Sequence, residues 1–386
     1  MQTDNDRFGY YCVGNHKFYS KFDAAEFAFR TNQTVTWNYN DAIFGMYDWK
    51  QEPKDSLPEL YRKRAQQLRD KYDYLVLWYS GGADCDNILD TFVDNDIALD
   101  EAVGCVNIDA TKNTHGWVNS EIYHLSVPKI QQVKETKQPW LRHTLLDMCE
   151  PGMNYFSDPA NKFDWIYKAN EYLNPSYFSR VQAIRQNNHW NDLINQGKSI
   201  GFIWGIDKPR VTGLNGHFYF AFKDMLDSTS ASHQLFEKVD GYATEMFYWT
   251  PDMPEVVIKQ CHVLKNLLKN ISLPSELLSE QRIDSRLCDS AVTKQGRMLW
   301  LNWKTTCVML YPKWYDRPYT NKPASLIFTP RDQWFFDLPD NEVAKQVWKQ
   351  GLEHRWNKTP DTMKVDPKNI TAGFKLFNSK HYYLGT

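Results

Sequence analysis

The chain has 386 residues, 42% of them hydrophobic and 15% aromatic, so it can bury a sizeable core, and its length favours two or three structural units. A formal net charge of −2 gives no overall attraction to nucleic acid or to an anionic membrane, so any recognition of phosphate must be local. No apolar run approaches the roughly 20 residues of a membrane span, and residues 1–7 lack the apolar centre of a signal peptide. We therefore expect a cytoplasmic protein with no membrane partner.

The cysteine and histidine patterns give no sign of a metal site. Seven cysteines are dispersed along the chain without a Cys-x-x-Cys pair, which argues against zinc, an iron–sulfur cluster and a disulfide framework. Cys261 and His262 are adjacent, and neighbouring side chains on a helix point about 100° apart, so they cannot chelate one ion together. Free thiols are expected.

The first 70 residues predict a hairpin followed by helices. Two short aromatic runs within residues 8–20 meet at Gly14-Asn15, which is a typical hairpin turn. A helix is expected around residues 23–31. A second helix is expected to begin at residues 55–56, with an apolar stripe and a basic outer face, and to lead into the first core strand.

Residues 72–92 combine a buried strand, a glycine turn and the start of a helix. Residues 74–79 form an unbroken apolar run, as expected of a parallel strand covered on both faces. Residues 80–82 supply a turn that can take positive φ and that leaves backbone N–H groups accessible. Asp84 is expected to cap the helix that follows. Because a helix N-terminus under a glycine loop attracts anions, this segment is a predicted phosphate-binding element.

This loop resembles that of a known superfamily. The PP-loop ATP pyrophosphatases, which include asparagine synthetase, GMP synthetase, NAD synthetase, phosphosulfate reductases and tRNA-modifying adenylating enzymes, carry Ser-Gly-Gly-x-Asp-Ser. Here the sequence is Ser80-Gly81-Gly82-Ala83-Asp84-Cys85. The departure is Cys85 in place of serine, and a thiol is the weaker hydrogen-bond donor.

The resemblance implies an α/β fold with a parallel twisted, Rossmann-like sheet and helices on both faces, extended by the N-terminal hairpin and helices and by a mixed C-terminal addition. It implies that ATP is cleaved between its α and β phosphates, with the loop holding pyrophosphate. Mg²⁺ is the second implied cofactor, held by Asp84 directly or through water. The residues expected to bind the nucleotide are Ser80, Gly81, Gly82, Ala83, Asp84, Cys85, Asn107, Asp109 and Asp207.

Two further core strands are predicted. Residues 102–108 form the second, parallel to the first because a helix lies between them. A mostly helical stretch follows over about residues 117–196, and residues 199–206 form the third strand. In open α/β sheets ligands bind beyond the carboxyl ends of the strands, so the segments after these strands should share one rim.

That rim carries the remaining site candidates. In PP-loop enzymes the ends of the later strands hold adenine and ribose, so Asn107 and Asp109 are expected on the nucleotide side. Lys208 and Arg210 are candidates to neutralise phosphate charge, and with Asp84 they form the predicted catalytic set. The alternative is that Lys208 and Arg210 are ordinary solvated loop charges.

Beyond residue 210 the sequence predicts a hairpin, an aromatic loop and a long helix. Asn215-Gly216 between apolar residues is a strong hairpin signal. The loop at residues 245–254 could line a pocket, although packing of its aromatic side chains is favoured because aromatic residues dominate cores by area. A helix should begin near Glu255.

We divide the chain into residues 1–70, an N-terminal hairpin and helices, residues 71–270, a PP-loop ATP-binding domain, and residues 271–386, an aromatic-rich cap over the active site. Lys322 and Arg331 of the cap could reach the site, but charged residues in such segments are usually solvated. The chain ends resemble asparagine synthase-like and phosphosulfate reductase-like PP-loop proteins of large phages, which would place the protein in the host cytoplasm.

The function implied by the resemblance is adenylation. A substrate oxygen attacks the α phosphorus, pyrophosphate leaves, and a nucleophile then displaces AMP. Gln2 follows Met1, so no N-terminal glutaminase cysteine is present, and the lack of paired cysteines weakens sulfur chemistry. Amide or C–N bond formation on a small-molecule substrate, with a nitrogen nucleophile and no glutaminase domain, is therefore favoured.

Three alternatives stay open: a sulfurtransferase or phosphosulfate reductase-like enzyme, a nucleic-acid base-modifying enzyme, and a nucleotide-binding module without catalysis. A homo-oligomer is compatible with each, and the fold does not select the acceptor. Cys85 at a helix start should have a lowered thiol pKa through the helix macrodipole, and so should be alkylated faster than the other cysteines.

Overall fold

We describe a computed structural model of the chain over residues 4–107, 121–158, 160, 183–184, 186–205, 207–224, 242–272, 286–316, 335–336 and 342–386. The strands in these ranges are β1 (Tyr10–Val13), β2 (His16–Phe18), β3 (Val35–Asn38), β4 (Tyr74–Trp78), β5 (Glu101–Val106), β6 (Arg142–Asp147), β7 (Ile200–Trp204), β8 (Thr212–Leu214), β9 (His217–Phe220), β10 (Tyr242–Met246), β11 (Cys288–Thr293), β12 (Gly296–Leu301) and β13 (Tyr382–Gly385).

The helices in the same ranges are α1 (Lys21–Thr31), α2 (Asp41–Phe44), α3 (Leu57–Lys71), α4 (Ala83–Asp94), α5 (Val127–Thr136), α6 (Cys149–Phe156), α7 (Asn188–Asn195), α8 (Glu255–Ser272), α9 (Trp303–Leu310) and α10 (Glu342–Asn357). A π-helical turn at Ile122–Ser126 leads into α5. None of the helices in the described ranges is long and apolar enough to cross a membrane.

The centre of the molecule is a five-stranded parallel sheet in the order β10-β7-β4-β5-β6. The first of these strands along the chain, β4, lies in the middle, and later strands are added on either side of it. The direction of addition reverses between β4 and β7, and in such sheets this reversal opens a crevice at the carboxyl ends. The arrangement is α/β, is compatible with a Rossmann-like fold, and confirms the predicted parallel sheet flanked by helices.

The sequence of β4 explains its central place. Leu75 and Leu77 are fully buried in a core shared with α3 and α4, whereas Val76 and Trp78 are buried on the other face of the sheet. A strand covered on both faces needs apolar side chains at every position rather than at alternate ones. The prediction from the apolar run 74–79 is therefore confirmed.

Helix α3 also forms as predicted. Ser56 accepts a hydrogen bond from the Glu59 backbone and the Glu59 side chain bonds back to Ser56, which together make a capping box. The apolar stripe of α3 is buried and contacts α4 and α8. This packing fixes the helix that precedes the glycine loop.

Two strands of the sheet depart from the prediction. The mostly helical stretch expected over residues 117–196 is wrong for β6, which is an edge strand in which only Leu146 is buried. The fifth strand, β10, was not predicted at all, since the polar Thr244 and Glu245 interrupt its apolar run. Edge strands lack the continuous apolar pattern of buried parallel strands, so periodicity alone did not reveal them.

Both predicted hairpins are present. β1 and β2 pair antiparallel across Gly14-Asn15 and are joined by β3. β8 and β9 pair across Asn215 and Gly216, whose φ angles of 51° and 76° suit the turn. A second five-stranded sheet runs β11-β12-β8-β9-β13, so its strands come from both sides of the domain boundary predicted at residue 270.

Candidate functional site

The loop between β4 and α4 is built on two glycines. Gly81 has a φ of +82°, in the left-handed region, and a Cβ there would lie 3.0 Å from Leu125 Cβ and 3.1 Å from the Ser126 nitrogen. Both the conformation and the close approach of the Ile122–Ser126 turn therefore require glycine. Gly82 is the N-cap residue of α4, and its nitrogen lies 3.3 Å from Ser80 Oγ.

Asp84 does not cap α4, contrary to the prediction. The helix begins two residues earlier than that role requires, because Gly82 already occupies the N-cap position. Asp84 lies in the first turn instead, where the positive end of the helix macrodipole stabilises its negative charge.

Cys85 is buried beneath the loop, with 6% of its surface exposed. Its Sγ donates to the Gly82 carbonyl at 3.2 Å and lies 3.6 Å from Ser80 Oγ. Burial raises the pKa of the Cys85 thiol to about 11. The predicted lowering of this pKa is wrong, because the loss of hydration around a buried thiolate outweighs the helix macrodipole.

The carboxylate of Asp84 is the centre of the site. Lys208 Nζ lies 2.7 Å from its Oδ1 and 2.6 Å from its Oδ2, and the Tyr311 hydroxyl donates to Oδ1. The two charged side chains are 16% and 11% exposed, so this ion pair is only slightly open to solvent. Burial opposes the charge on Lys208, but the carboxylates of Asp84 and Asp207 outweigh it and raise the pKa of Lys208 above its ordinary value.

The absence of a side chain at Gly205 lets the segment that carries Lys208 approach Asp84. Gly205 follows β7, and a Cβ at residue 205 would lie 3.1 Å from the Cys85 nitrogen and 3.2 Å from the Asp84 carbonyl carbon. The chain leaving β7 therefore approaches the first turn of α4 closely enough for Lys208 to reach Asp84. A glycine at the carboxyl end of a predicted core strand was the sequence signal for this approach.

Two tyrosines of the site were not predicted. Tyr311 follows α9, and Tyr248 follows β10 and donates to the Asp84 carbonyl at 2.9 Å. The favoured packing role of residues 247–249 is confirmed, since Phe247, Tyr248 and Trp249 are at most 2% exposed. Packing and hydrogen bonding coincide in Tyr248, as is usual for a buried tyrosine hydroxyl.

A buried contact fixes the position of Tyr311. The hydroxyl of Tyr61, on α3, donates to the Leu310 carbonyl at 3.2 Å and accepts from Gln260 at 3.0 Å. The end of α9 is thereby tied to α3 and α8, so the segment beyond residue 286 contributes directly to the site.

The structure brings some of the other predicted residues to the site and leaves others away from it. Asp207 accepts from the Lys208 backbone at 2.6 Å, and Asn107 is buried at the end of β5. Arg210 is exposed and lies over the Trp300 ring, 5.2 Å from its centroid, so it is not part of the Asp84 network. Asp109, Lys322 and Arg331 lie outside the described residues.

The predicted magnesium ligand is already neutralised. Both oxygens of Asp84 accept from one ammonium group, and the described ranges contain no cluster of three or more His, Cys, Asp or Glu that could hold a metal ion. Asp84 thus offers one carboxylate rather than a preformed metal cage.

Comparisons with protein-family models, with curated proteins and with solved structures found no match to this chain.

Proposed function

We propose that the protein binds ATP with the β and γ phosphates over residues 80–85 and cleaves it to AMP and pyrophosphate, as a PP-loop enzyme. The observation that carries this proposal is the glycine loop at the reversal point of the parallel sheet, with Lys208 held beside it by Asp84. A helix N-terminus with a lysine side chain close to it is a suitable site for an anion.

Lys208 supplies the positive charge of this site. Its raised pKa keeps the side chain protonated at neutral pH, and Asp84 holds it in place before a ligand arrives. An ammonium group fixed in advance stabilises charge on phosphate oxygens with little reorganisation, which is the main contribution that a protein makes to such transfers.

Magnesium would enter together with the phosphates. Mg²⁺ is commonly bound through one or two carboxylates plus substrate phosphates, and Asp84 would be the ligand from this chain. When bound, the ion neutralises charge on the phosphates. Asp84 would exchange Lys208 for Mg²⁺, and the released ammonium would then pair with the nucleotide.

The thiols support nitrogen chemistry over sulfur chemistry. All seven cysteines lie in the described ranges, and none forms a disulfide. Cys85 is the cysteine of the loop itself, but its pKa of about 11 leaves almost no thiolate at neutral pH. We therefore favour an activated substrate oxygen that is displaced by a nitrogen nucleophile, giving an amide or another C–N bond on a small molecule.

A nucleotide-binding module without catalysis is the second candidate. The hydrogen bonds of Lys208 and Tyr311 to Asp84 favour it, because they satisfy the carboxylate without a metal ion. Incubation with ATP, Mg²⁺ and a metabolite mixture separates the two functions. Release of AMP and pyrophosphate supports the enzyme, and ATP binding without either product supports the module.

Gly82→Val tests the binding site itself. A Cβ at residue 82 would meet Ser80 Oγ at 3.2 Å, and the larger valine would fill the space that a phosphate must enter. We expect ATP binding, measured by calorimetry, to be abolished in the valine variant and reduced less in Gly82→Ala. An unaltered ATP affinity in a folded Gly82→Val protein would contradict the assignment.

A further inference from the structure

Two cations after β7 each face an indole ring from the segment beyond residue 286. Lys208 Nζ lies 5.9 Å from the centroid of the Trp303 ring, and the Arg210 guanidinium lies 5.2 Å from that of Trp300. We call these four side chains the tryptophan wall. Since Lys208 also bonds Asp84, the wall borders the candidate nucleotide site directly.

Trp303 is fixed in position and yet open to solvent. Asn302 caps α9, because its side chain accepts a hydrogen bond from the Thr305 nitrogen. Trp303 is therefore held as the first residue of the helix. The Trp314 ring packs edge-on against it at 5.7 Å. Trp303 remains 40% exposed, and Tyr315 nearby in the chain is 59% exposed. A rigid aromatic ring left open beside a site offers a stacking surface.

The two cations of the wall are paired differently, since Lys208 has Asp84 and Asp207 beside it. Arg210 has no ion-pair partner within the part of the chain that the structure describes. Burial and, next, the charge of Arg210 lower the pKa of Lys223 against the opposing effect of Asp207 and Asp224, so a second cation lies close to Arg210. A guanidinium can stack on an indole ring and keep its N–H donors available. When no carboxylate pairs with it, these donors can bond acceptor atoms of a ligand.

The order of strands assigns the wall to one side of the loop. In the strand order β7-β4-β5, Lys208 and Arg210 of the wall follow β7, whereas Asn107 follows β5 on the opposite side of β4. A nucleotide with its phosphates over the β4 loop and its base towards β5 leaves the β7 side for the second substrate. The wall is therefore placed where an acceptor would meet the α phosphate.

We propose that the tryptophan wall binds the acceptor and that the acceptor is a planar heteroaromatic compound of the nucleobase class. Its ring stacks on Trp303, and Arg210 bonds a ring carbonyl or an attached acidic group. This inference rests on the proposed function, because it assumes that the nucleotide occupies the loop at residues 80–85.

The test begins with the ATP analogue whose α,β-bridging oxygen is a methylene group. Calorimetric titration of this analogue reads the proposed function alone, and its failure to bind would remove the nucleotide site. The analogue-saturated protein is then titrated with guanosine, with cytidine and, as an aliphatic comparison, with aspartate. We expect at least one nucleoside to bind without displacing the analogue, and aspartate not to bind.

Variants locate the binding. Trp303→Ala should weaken nucleoside binding about tenfold, and Trp303→Phe should retain most of it, since a stacked base depends on an aromatic ring. Arg210→Gln should weaken it a few-fold. The matched control is Trp140→Ala, because Trp140 is 57% exposed but precedes β6, at the amino edge of the sheet. Unchanged affinity for the analogue shows that each variant is folded.

Three results would overturn the inference while leaving the nucleotide site intact: aspartate binds and neither nucleoside does, a nucleoside displaces the analogue, or Trp303→Ala binds nucleosides as well as Trp140→Ala does.

Discussion

Asp84 and Glu245 are carboxylates in networks of cations and tyrosines, but the two networks differ in how completely they are closed. Asp84 accepts from the Lys208 ammonium and from the Tyr311 hydroxyl, and its side chain is 16% exposed. Glu245, at the end of β10, is 1% exposed. It accepts from Arg7 at 2.9 Å, Arg64 at 2.8 Å, Lys71 at 2.8 Å and Tyr72 at 2.5 Å.

The difference separates a structural carboxylate from the one that we propose to take part in binding. Three cations and a hydroxyl leave Glu245 no capacity for a ligand, and they tie the N-terminal segment and α3 to the central sheet. Asp84 is bonded by the Lys208 ammonium, which we propose that a metal ion replaces. Removal of a buried carboxylate from among paired cations strongly destabilises a fold, whereas a slightly exposed carboxylate in the first turn of a helix suits binding.

The largest effect is expected for Glu245→Ala. It leaves the fully buried Arg64 beside Arg7 without their shared carboxylate, so the free energy of unfolding should fall by about 3–5 kcal/mol. Urea denaturation measures this loss. Asp252→Ala is the control, because Asp252 is 29% exposed and its removal should cost under about 1 kcal/mol. Equal losses in both variants would refute the structural role of Glu245.

The same carboxylate should make stability depend on pH. Burial would raise the pKa of Glu245, but the surrounding cations outweigh it and lower the pKa from 4.5 to about 2. Because the folded value is the lower one, the stabilisation is complete above pH 4.5 and is lost as the pH falls towards 2, by roughly 3 kcal/mol. Unfolding free energies of the wild type and of Glu245→Gln should converge across this window, and parallel curves would be inconsistent with the shift.

Asp84→Asn should weaken metal-dependent binding, in addition to destabilising the fold by removing the carboxylate that pairs with the nearly buried Lys208. Without its charge, residue 84 cannot exchange Lys208 for Mg²⁺, so nucleotide binding in the presence of Mg²⁺ should weaken about tenfold or more. Binding in the presence of a chelator should change much less. Calorimetry in both conditions gives the comparison, and equal effects with and without metal would remove the metal role of Asp84.

The smallest effect concerns Cys85. With its pKa raised to about 11 by burial, Cys85 should react with iodoacetamide no faster than the other buried cysteines, which mass spectrometry of timed samples can measure. Cys85→Ser should keep the bond to the Gly82 carbonyl and alter ATP affinity by less than about threefold. Rapid, ATP-protected alkylation of Cys85 would show that the loop opens.

The features that could be predicted from the sequence are those that depend on a few contiguous residues. The apolar run of β4, the glycines at residues 81 and 82 and the Asn215-Gly216 turn each carry their own local signal. The sharing of one rim by residues 84 and 208 also followed, because parallel strands joined through helices align their carboxyl ends.

What could not be predicted depends on contacts between distant segments. Tyr311 reaches Asp84 across 227 positions, and nothing near either residue indicates the pairing. The pKa of Cys85 was wrongly predicted for the same reason, since its burial comes from packing and not from its place in the helix. Edge strands β6 and β10 gain their structure from a neighbour rather than from their own apolar pattern.

The pairing of β9 with β13 affects how the chain can assemble during synthesis. The edge of β9, at His217–Phe220, is completed only when residues Tyr382–Gly385 have been made. Contacts of such long sequence separation form slowly, because a large loop must close before they contribute. Until then β9 presents unpaired backbone groups to other chains, so a nascent or truncated chain that ends before residue 382 should be prone to association.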